Sequence, residues 1–592
     1  MFSIQANSKA NILRAALVAA IVSVTALKGN SQGFIKAEGT SIVNEKGEKV
    51  ILRGMGLGGW MLQEGYMFHV SNLGQQYKIK QKIADVIGDN KTKQFYNDWL
   101  TNHTTKKDVD SMASWGFNSI RLPMHYNLYT LPVDQEPVAG ENTWIEKGFA
   151  ITDSLLKWCK QNKMYLILDL HAAPGGQGTD LAISDRDPSK PSLWESEANQ
   201  NKMIALWHKL AARYANEPNI GGYDIINEPN WGFQDTAKDK HGTAEQKNEP
   251  LRNLMIAITK SIRSVDTKHI IIIEGNGFGN NYNGVLPAWD SNMVVSFHKY
   301  GNFNNVKAIN HFLELRAKYN IPLWMGESGE NSNTWFTEAI SLAESNNIGW
   351  AWWQSKKMGI NNPLEVKEPA GYDKLLKYWS GKGDKPSEQE ATATLNELLN
   401  NIKIENNIYH RDVIDAMFRQ VKSNDTKPFK QLKVAGSSVI NAVDFDMGKQ
   451  GFAYYDKDTA SYHYTPGVNT QGNRGYTYRN DGVDISGTGA EGYYVFNIED
   501  GEWLQYTIDV EKAGNYTIVF KTASDKDGGK ISFSANSEKL INALDVPNTK
   551  DLKNWNEIKV KDIQLKKGIN KFRVLADVGG FNFSSIQFVK QN

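Results

Sequence analysis

Two glutamates stand where apolar runs stop. Glu228 follows the run in "YDIINEPNW", and Glu327 follows the one in "IPLWMGES". A chain that needed only a turn there would use Asn-Gly or Pro-Gly. Two carboxylates facing one cleft are the equipment for breaking a glycosidic bond. One delivers a proton to the leaving oxygen, and the other stays ionised and attacks the anomeric carbon. Their surroundings must push their pKa values apart. Neighbouring runs end in Arg121, Asp169 with His171, His298 with Tyr300, and Trp352-Trp353-Gln354. Asn227, beside Glu228, can bond a sugar hydroxyl next to the reacting carbon, so Glu228 is the candidate acid/base. Arg121 is always cationic and would keep a nearby Glu327 ionised, with Tyr300 donating to the same carboxylate. Glu327 is therefore the candidate nucleophile. His171 and His298 can bond sugar hydroxyls or position the acids, and Trp353 offers a flat face beneath a sugar.

Such residues need a scaffold that brings distant strand ends together. Short apolar runs recur from Val50, Phe117, Met164, Gly221, His269, Met293, Ile321 and Ile348, with helical patterns such as "ANQNKMIALWHKLAARYAN" between them. Strands alternating with helices imply a parallel sheet, and nearly continuous apolar character implies burial on both faces. Eight units predict an α/β fold, a (β/α)8 TIM barrel with its functional residues at the C-terminal strand ends. From Ser438 the texture changes to Tyr, Thr, Val and Gly with alternation, as in "EWLQYTIDV" and "NYTIVFKTAS". This predicts an all-β sandwich of jelly-roll type. The expected division is a signal peptide over 1–31, a barrel over 33–422, a linker over 423–437 and the sandwich over 438–592.

The chain has 592 residues and a net charge of +1, which gives no electrostatic pull toward nucleic acid. Its one cysteine, Cys159, excludes an intrachain disulfide and reads as a buried inert thiol. The 17 tryptophans supply flat faces for sugar rings. Lys9 and Arg14 precede an apolar run from Ala15 to Leu27, the pattern of a secretory signal peptide and too short for a comfortable span. The expectation is a secreted, cell-surface or periplasmic protein with no membrane span in the mature chain.

Residues 33 to about 420 resemble glycoside hydrolase family 5, through "IRLPM", "DLHAAPGGQ", "INEP", "SFHKY", "GES" and "WAWWQ" in order. The resemblance implies a retaining β-glycosidase that uses no cofactor or catalytic metal. It places acid/base and nucleophile on Glu228 and Glu327, and substrate contacts on Arg121, His171, Asn227, His298, Tyr300 and Trp353. "GLGGWMLQEGY" is similar to the exo-β-1,3-glucanase branch, whereas "WWQSKKM" departs from it, so the linkage stays open. A polysaccharide or oligosaccharide is the implied partner, with mannan and glycolipid as alternatives.

The C-terminal part resembles carbohydrate-binding module family 6, through "YRNDGVDI", "DGEWLQYTIDVEKAGNYTIVFKTAS" and "GGFNFSSIQF". The resemblance implies glycan binding at Asn582 and near Phe496-Asn497. The family's binding Trp falls on Leu552. The acidic ligand of the family's structural calcium falls on Val443, which puts that calcium in doubt. Tyr476 and Tyr478 are further candidate platforms, or ordinary strand packing.

Other readings fit less well. "GMGLGG" satisfies G-x-G-x-x-G but lacks the acidic strand end that a dinucleotide site needs. His125, His171 and His298 lack the spacing of a metal site. Glu274 and Glu330 could be confused with catalytic acids but have no neighbouring Asn, and Glu64 reads as a rim or substrate residue. A non-catalytic glycan-binding or adhesion protein is the rival from another class.

Overall fold

A computed structural model of the chain describes residues 32–457 and 473–591. The signal-peptide reading of 1–31 lies outside the described residues.

Eight parallel strands close into a barrel: β1 (Arg53–Gly56), β2 (Ser119–His125), β3 (Tyr165–Ala172), β4 (Ile220–Asp224), β5 (Ile271–Ile273), β6 (Met293–Lys299), β7 (Leu323–Gly329) and β8 (Gly349–Trp353). Each pairs with the next and β8 returns to β1. Several strands are shorter than their apolar runs. β4 stops at Asp224, so Asn227 and Glu228 lie on the loop after it rather than on the strand. The backbone of Glu228 has φ 41°, a left-handed conformation that costs energy for any residue but glycine.

The helices cover the barrel for sequence-legible reasons. In Glu197–Tyr214 the residues Met203, Leu206, Trp207, Leu210 and Tyr214 recur at three- and four-residue steps and are buried. Ser196 caps that helix by accepting from the Asn199 N–H at 3.2 Å. Cys159 is buried on the helix Glu146–Gln161, and burial raises its thiol out of the nucleophilic range. Among the described residues no helix is long and apolar enough to cross a membrane.

Two sheets, antiparallel except for their first strand, form the C-terminal sandwich, around Tyr506, Phe520, Phe533, Phe572 and Phe588. Its first strand, Leu432–Val434, pairs with Trp503–Val510, and the next is Ser437–Asn441. The stretch 423–437 is therefore not a linker throughout, because its second half is pinned into the sandwich ladder. Tyr476 and Tyr478 lie in a loop before the strand Ile485–Thr488, not in a strand.

The sandwich is fastened to the barrel by buried polar bonds. Asn333, at the start of the helix after β7, donates its backbone N–H to the Asn480 carbonyl at 2.9 Å. Its amide donates to Asp412 at 2.8 Å and to Asp481 at 3.2 Å, and Asp412 also accepts from the Asn480 N–H at 2.8 Å.

Candidate active site

Arg121, on β2, is completely buried at the barrel's C-terminal end. Four carboxylates surround its guanidinium. Asp224 lies at 2.8 Å, Glu274 at 3.2 Å and Asp169 at 3.3 Å, with Glu327 in direct contact. Its remaining donor holds the Asn227 side-chain oxygen at 2.8 Å. One cation thus ties the ends of β2, β3, β4, β5 and β7 together. So many acids around one cation cannot all ionise. Burial pushes Asp224 well above the usual carboxylate range, with Glu274 adding to the effect and Arg121 opposing it.

The two candidate catalytic carboxylates face each other. One oxygen each of Glu228 and Glu327, and one His298 nitrogen, lie within 4.8 Å of one another. His298 bridges acids on both sides: Nδ1 is 2.6 Å from Glu228 and Nε2 is 3.1 Å from Glu274. Burial alone would lower its pKa, but Glu274 and Glu327 raise it well above the ordinary value. With both ring nitrogens turned to carboxylates, both carry protons. The same trio has the spacing of a cation site, but both ring nitrogens are already turned to carboxylates.

The environments of the two glutamates differ. For Glu327, burial is outweighed by His298, Arg121 and His171 and by the Tyr300 hydroxyl, which donates at 3.0 Å; its carboxyl lies below the usual value. Glu228 is raised, because burial together with the charges of Glu327 and Glu274 exceeds the help from His298. Glu228 is thus the proton holder and Glu327 the anion.

The other sequence candidates surround this pair. His171 donates or accepts at 2.8 Å with Asp169, and stacks on Trp353 at 5.1 Å between centroids and 5° between planes. Asp169 therefore orients His171 and braces Arg121. Asn227, read as a sugar ligand, is fully buried, with its oxygen on Arg121 and its nitrogen 3.2 Å from His171. Only its second amide hydrogen remains for a substrate. Trp353 is held by Tyr66, whose hydroxyl accepts from the indole at 2.8 Å. A Cβ on Gly56 or Gly58 would stand 2.8 or 2.7 Å from the Trp353 ring, so these glycines let the backbone lie against the indole.

The structure brings Glu274, set aside above, and Glu64, a candidate rim or substrate residue, into the centre. Glu274 accepts from the Glu228 backbone N–H at 2.7 Å, besides its contacts with His298 and Arg121. Its signal was its place at a strand end, without an adjacent Asn to draw attention to it. Glu64 lies 3.9 Å from His171, and burial pushes it up to about 8, opposed by His171. Burial thus favours its uncharged form, which can donate.

In the sandwich, Val495 pairs with Phe583, which brings Phe496 beside Asn582. The Asn582 amide donates to the Leu552 carbonyl at 2.8 Å, and the Leu552 side chain is 38% exposed. Asn582 itself is buried, and Leu552 is an aliphatic group at the position that the resemblance gives to a stacking ring. The Val443 side chain is buried and has no oxygen, and Lys430 sits 3.0 Å from the adjacent Asp444. These residues do not fit a calcium ion.

Residues 79–359 match the model of "Cellulase (glycosyl hydrolase family 5)", and residues 475–590 that of "Carbohydrate binding module (family 6)". A β-xylosidase from Phanerodontia chrysosporium is 27% identical over 59% of this chain and 76% of its own length. Endoglucanase C of Acetivibrio thermocellus is 25% identical over 45% of this chain and 89% of its own. A probable glucan 1,3-beta-glucosidase A of Aspergillus niger is 26% identical over 30% of this chain and 41% of its own.

Proposed function

We propose that this chain, a family 5 glycoside hydrolase joined to a family 6 carbohydrate-binding module, is exported and hydrolyses a β-glucan with retention of configuration. Glu228 gives its proton to the leaving glycosidic oxygen as Glu327 attacks the anomeric carbon, forming a glycosyl-enzyme ester. Glu228, now a carboxylate, takes a proton from water, whose oxygen displaces Glu327 and restores both groups. The observation that carries this reading is the opposed pair itself, with oxygens within 4.8 Å. Retaining enzymes hold their carboxyls about 5–5.5 Å apart, whereas inverting enzymes need about 6.5–9.5 Å to admit a water.

The relatives' names support a β-glucan, since an endoglucanase and a glucan 1,3-beta-glucosidase stand among them. The β-xylosidase among them makes the sugar itself part of the test. Linear β-1,3-glucan, β-1,4-glucan, xylan and mannan are incubated with the full chain and the products sized. Glu327→Ala should abolish release while glycan binding persists; unchanged turnover overturns the assignment. Export rests on Lys9, Arg14 and the apolar run that follows. It is tested by sequencing the N-terminus of protein recovered outside the cell, and recovery only inside cells with residues 1–31 intact refutes it.

A further inference from the structure

Next to the catalytic centre lies a cavity of about 500 Å³, built from two domains. The barrel supplies Tyr66, which holds Trp353, and Glu330, just past Glu327, in contact with Lys357. The paired side chains His69 and Glu368, 3.4 Å apart, line it too. The sandwich supplies Tyr476. The volume is in the range of small-molecule sites, and the wall combines aromatic faces with ionised donors and acceptors, the mixture that a pyranose ring and its hydroxyls require.

Tyr476 is 56% exposed, and its hydroxyl has no hydrogen-bond partner among the described residues. Its neighbour Tyr478 is built differently. That ring packs 4.6 Å from Tyr493, and its hydroxyl accepts from Lys430 at 2.6 Å. Both tyrosines have positive φ, 50° and 70°, a region that L side chains rarely adopt. The turn is held there by Asn473, whose amide donates to the Thr477 carbonyl at 3.0 Å and the Arg479 carbonyl at 2.6 Å. In the same loop Asn480 and Asp481 are bonded to the barrel. A strained, over-determined turn thus presents a solvent-exposed ring to this cavity beside Tyr66 and Glu330.

We propose that Tyr476 and the barrel rim form one glycan subsite shared by the two domains. It takes a sugar remote from the scissile bond in the same chain that Glu228 and Glu327 cut, and so favours long substrates over short ones. The inference rests on the proposed function, and the test keeps the two apart.

Tyr476→Ala and Tyr476→Phe are made in the full chain. They are assayed on an aryl β-glucoside and on soluble cello- and laminari-hexaose. Tyr476→Ala should lower kcat/KM on the hexaose that is cut by about 3–10-fold, the scale of one lost aromatic contact. The aryl glycoside rate should stay unchanged, and Tyr476→Phe should behave as wild type. No change on the hexaose, or an equal fall on both substrates, overturns the shared subsite. A wild-type chain that cuts neither class refutes the proposed function alone. The subsite is then decided by titrating the hexaoses into Glu327→Ala chains. About 3–10-fold weaker association when Tyr476→Ala is added supports it, and equal association overturns it.

Discussion

Glu274→Gln removes a charge from the centre of the site while keeping the shape of the side chain. One Glu274 oxygen accepts from the Glu228 N–H at 2.7 Å. The other meets His298 Nε2 at 3.1 Å and Arg121 Nη2 at 3.2 Å. All three partners are donors once His298 is protonated. An amide has an oxygen on one side only, so its NH2 must face either the Glu228 N–H or the His298–Arg121 pair. A hydrogen bond involving an ionised group is worth about 1.5–3 kcal/mol. Expressed in the transition state, its loss is roughly a 10- to 150-fold fall in kcat/KM. The pH profile gives a second signature. Glu274 raises the pKa of both His298 and Glu228, so removing its charge lowers both. Glu228 must be protonated to serve the leaving oxygen, and its activity is lost as pH rises through its pKa. The alkaline limb of kcat/KM therefore moves to lower pH in the variant. Initial rates on a soluble glucan oligosaccharide from about pH 4 to 9 read both effects. A thermal melt separates them from loss of fold. A folded variant with wild-type kcat/KM and an unmoved alkaline limb would refute the positioning role of Glu274.

Glu228→Ala should lose about 10²–10⁴ in rate on unactivated glycosides. Azide should restore turnover of an activated aryl glycoside and leave a β-glycosyl azide; an α product would rule out double displacement. Glu64, pushed up to about 8 by burial, is uncharged below that pH. Glu64→Gln should therefore stay within about threefold of wild type near pH 6, whereas Glu64→Ala falls roughly tenfold through the lost donor. Equal losses in the two variants at that pH would count against a neutral acid. Leu552→Trp, at a position 38% exposed beside Asn582, should tighten glycan association by the sandwich about 3–10-fold. Calorimetry showing no gain would mean that the surface is not a stacking platform.

Much of the catalytic centre was legible because barrel strands are buried on both faces. Their sequences become long apolar runs, and a polar residue at the end of one stands out. Arg121, His171, Glu228, His298 and Glu327 all have that signature. Asp224 and Glu274 have it too, but their importance arises only when β4 and β5 converge on Arg121, a three-dimensional fact with no local trace. Asn227 was legible in place, but its buried partners were not. Its neighbourhood suggested a sugar, whereas burial gives its oxygen to Arg121. Tyr476 was ambiguous because an aromatic in a β-rich stretch reads as strand packing. The left-handed turn that exposes it depends on Asn473 and on docking to the barrel. The boundary near residue 432 was missed because a three-residue parallel strand has no periodicity to detect.

The division of labour between the two glutamates follows from an asymmetry in what each touches. Glu327 receives Arg121 and Tyr300 directly, with His298 at 3.5 Å and His171 at 3.9 Å, so positive charge and donors converge on it. Glu228 receives His298 alone among these groups and shares that ring with Glu274. Two buried acids this close cannot both ionise at comparable cost. The one with more cationic company keeps the negative charge, and that charge helps hold the proton on the other. Reversing the roles would require Arg121 to move from Glu327 to Glu228, against three further carboxylates that already fix it. The pair is therefore poised before substrate arrives, and under the proposed double displacement the glutamate that the guanidinium touches is the one suited to attack.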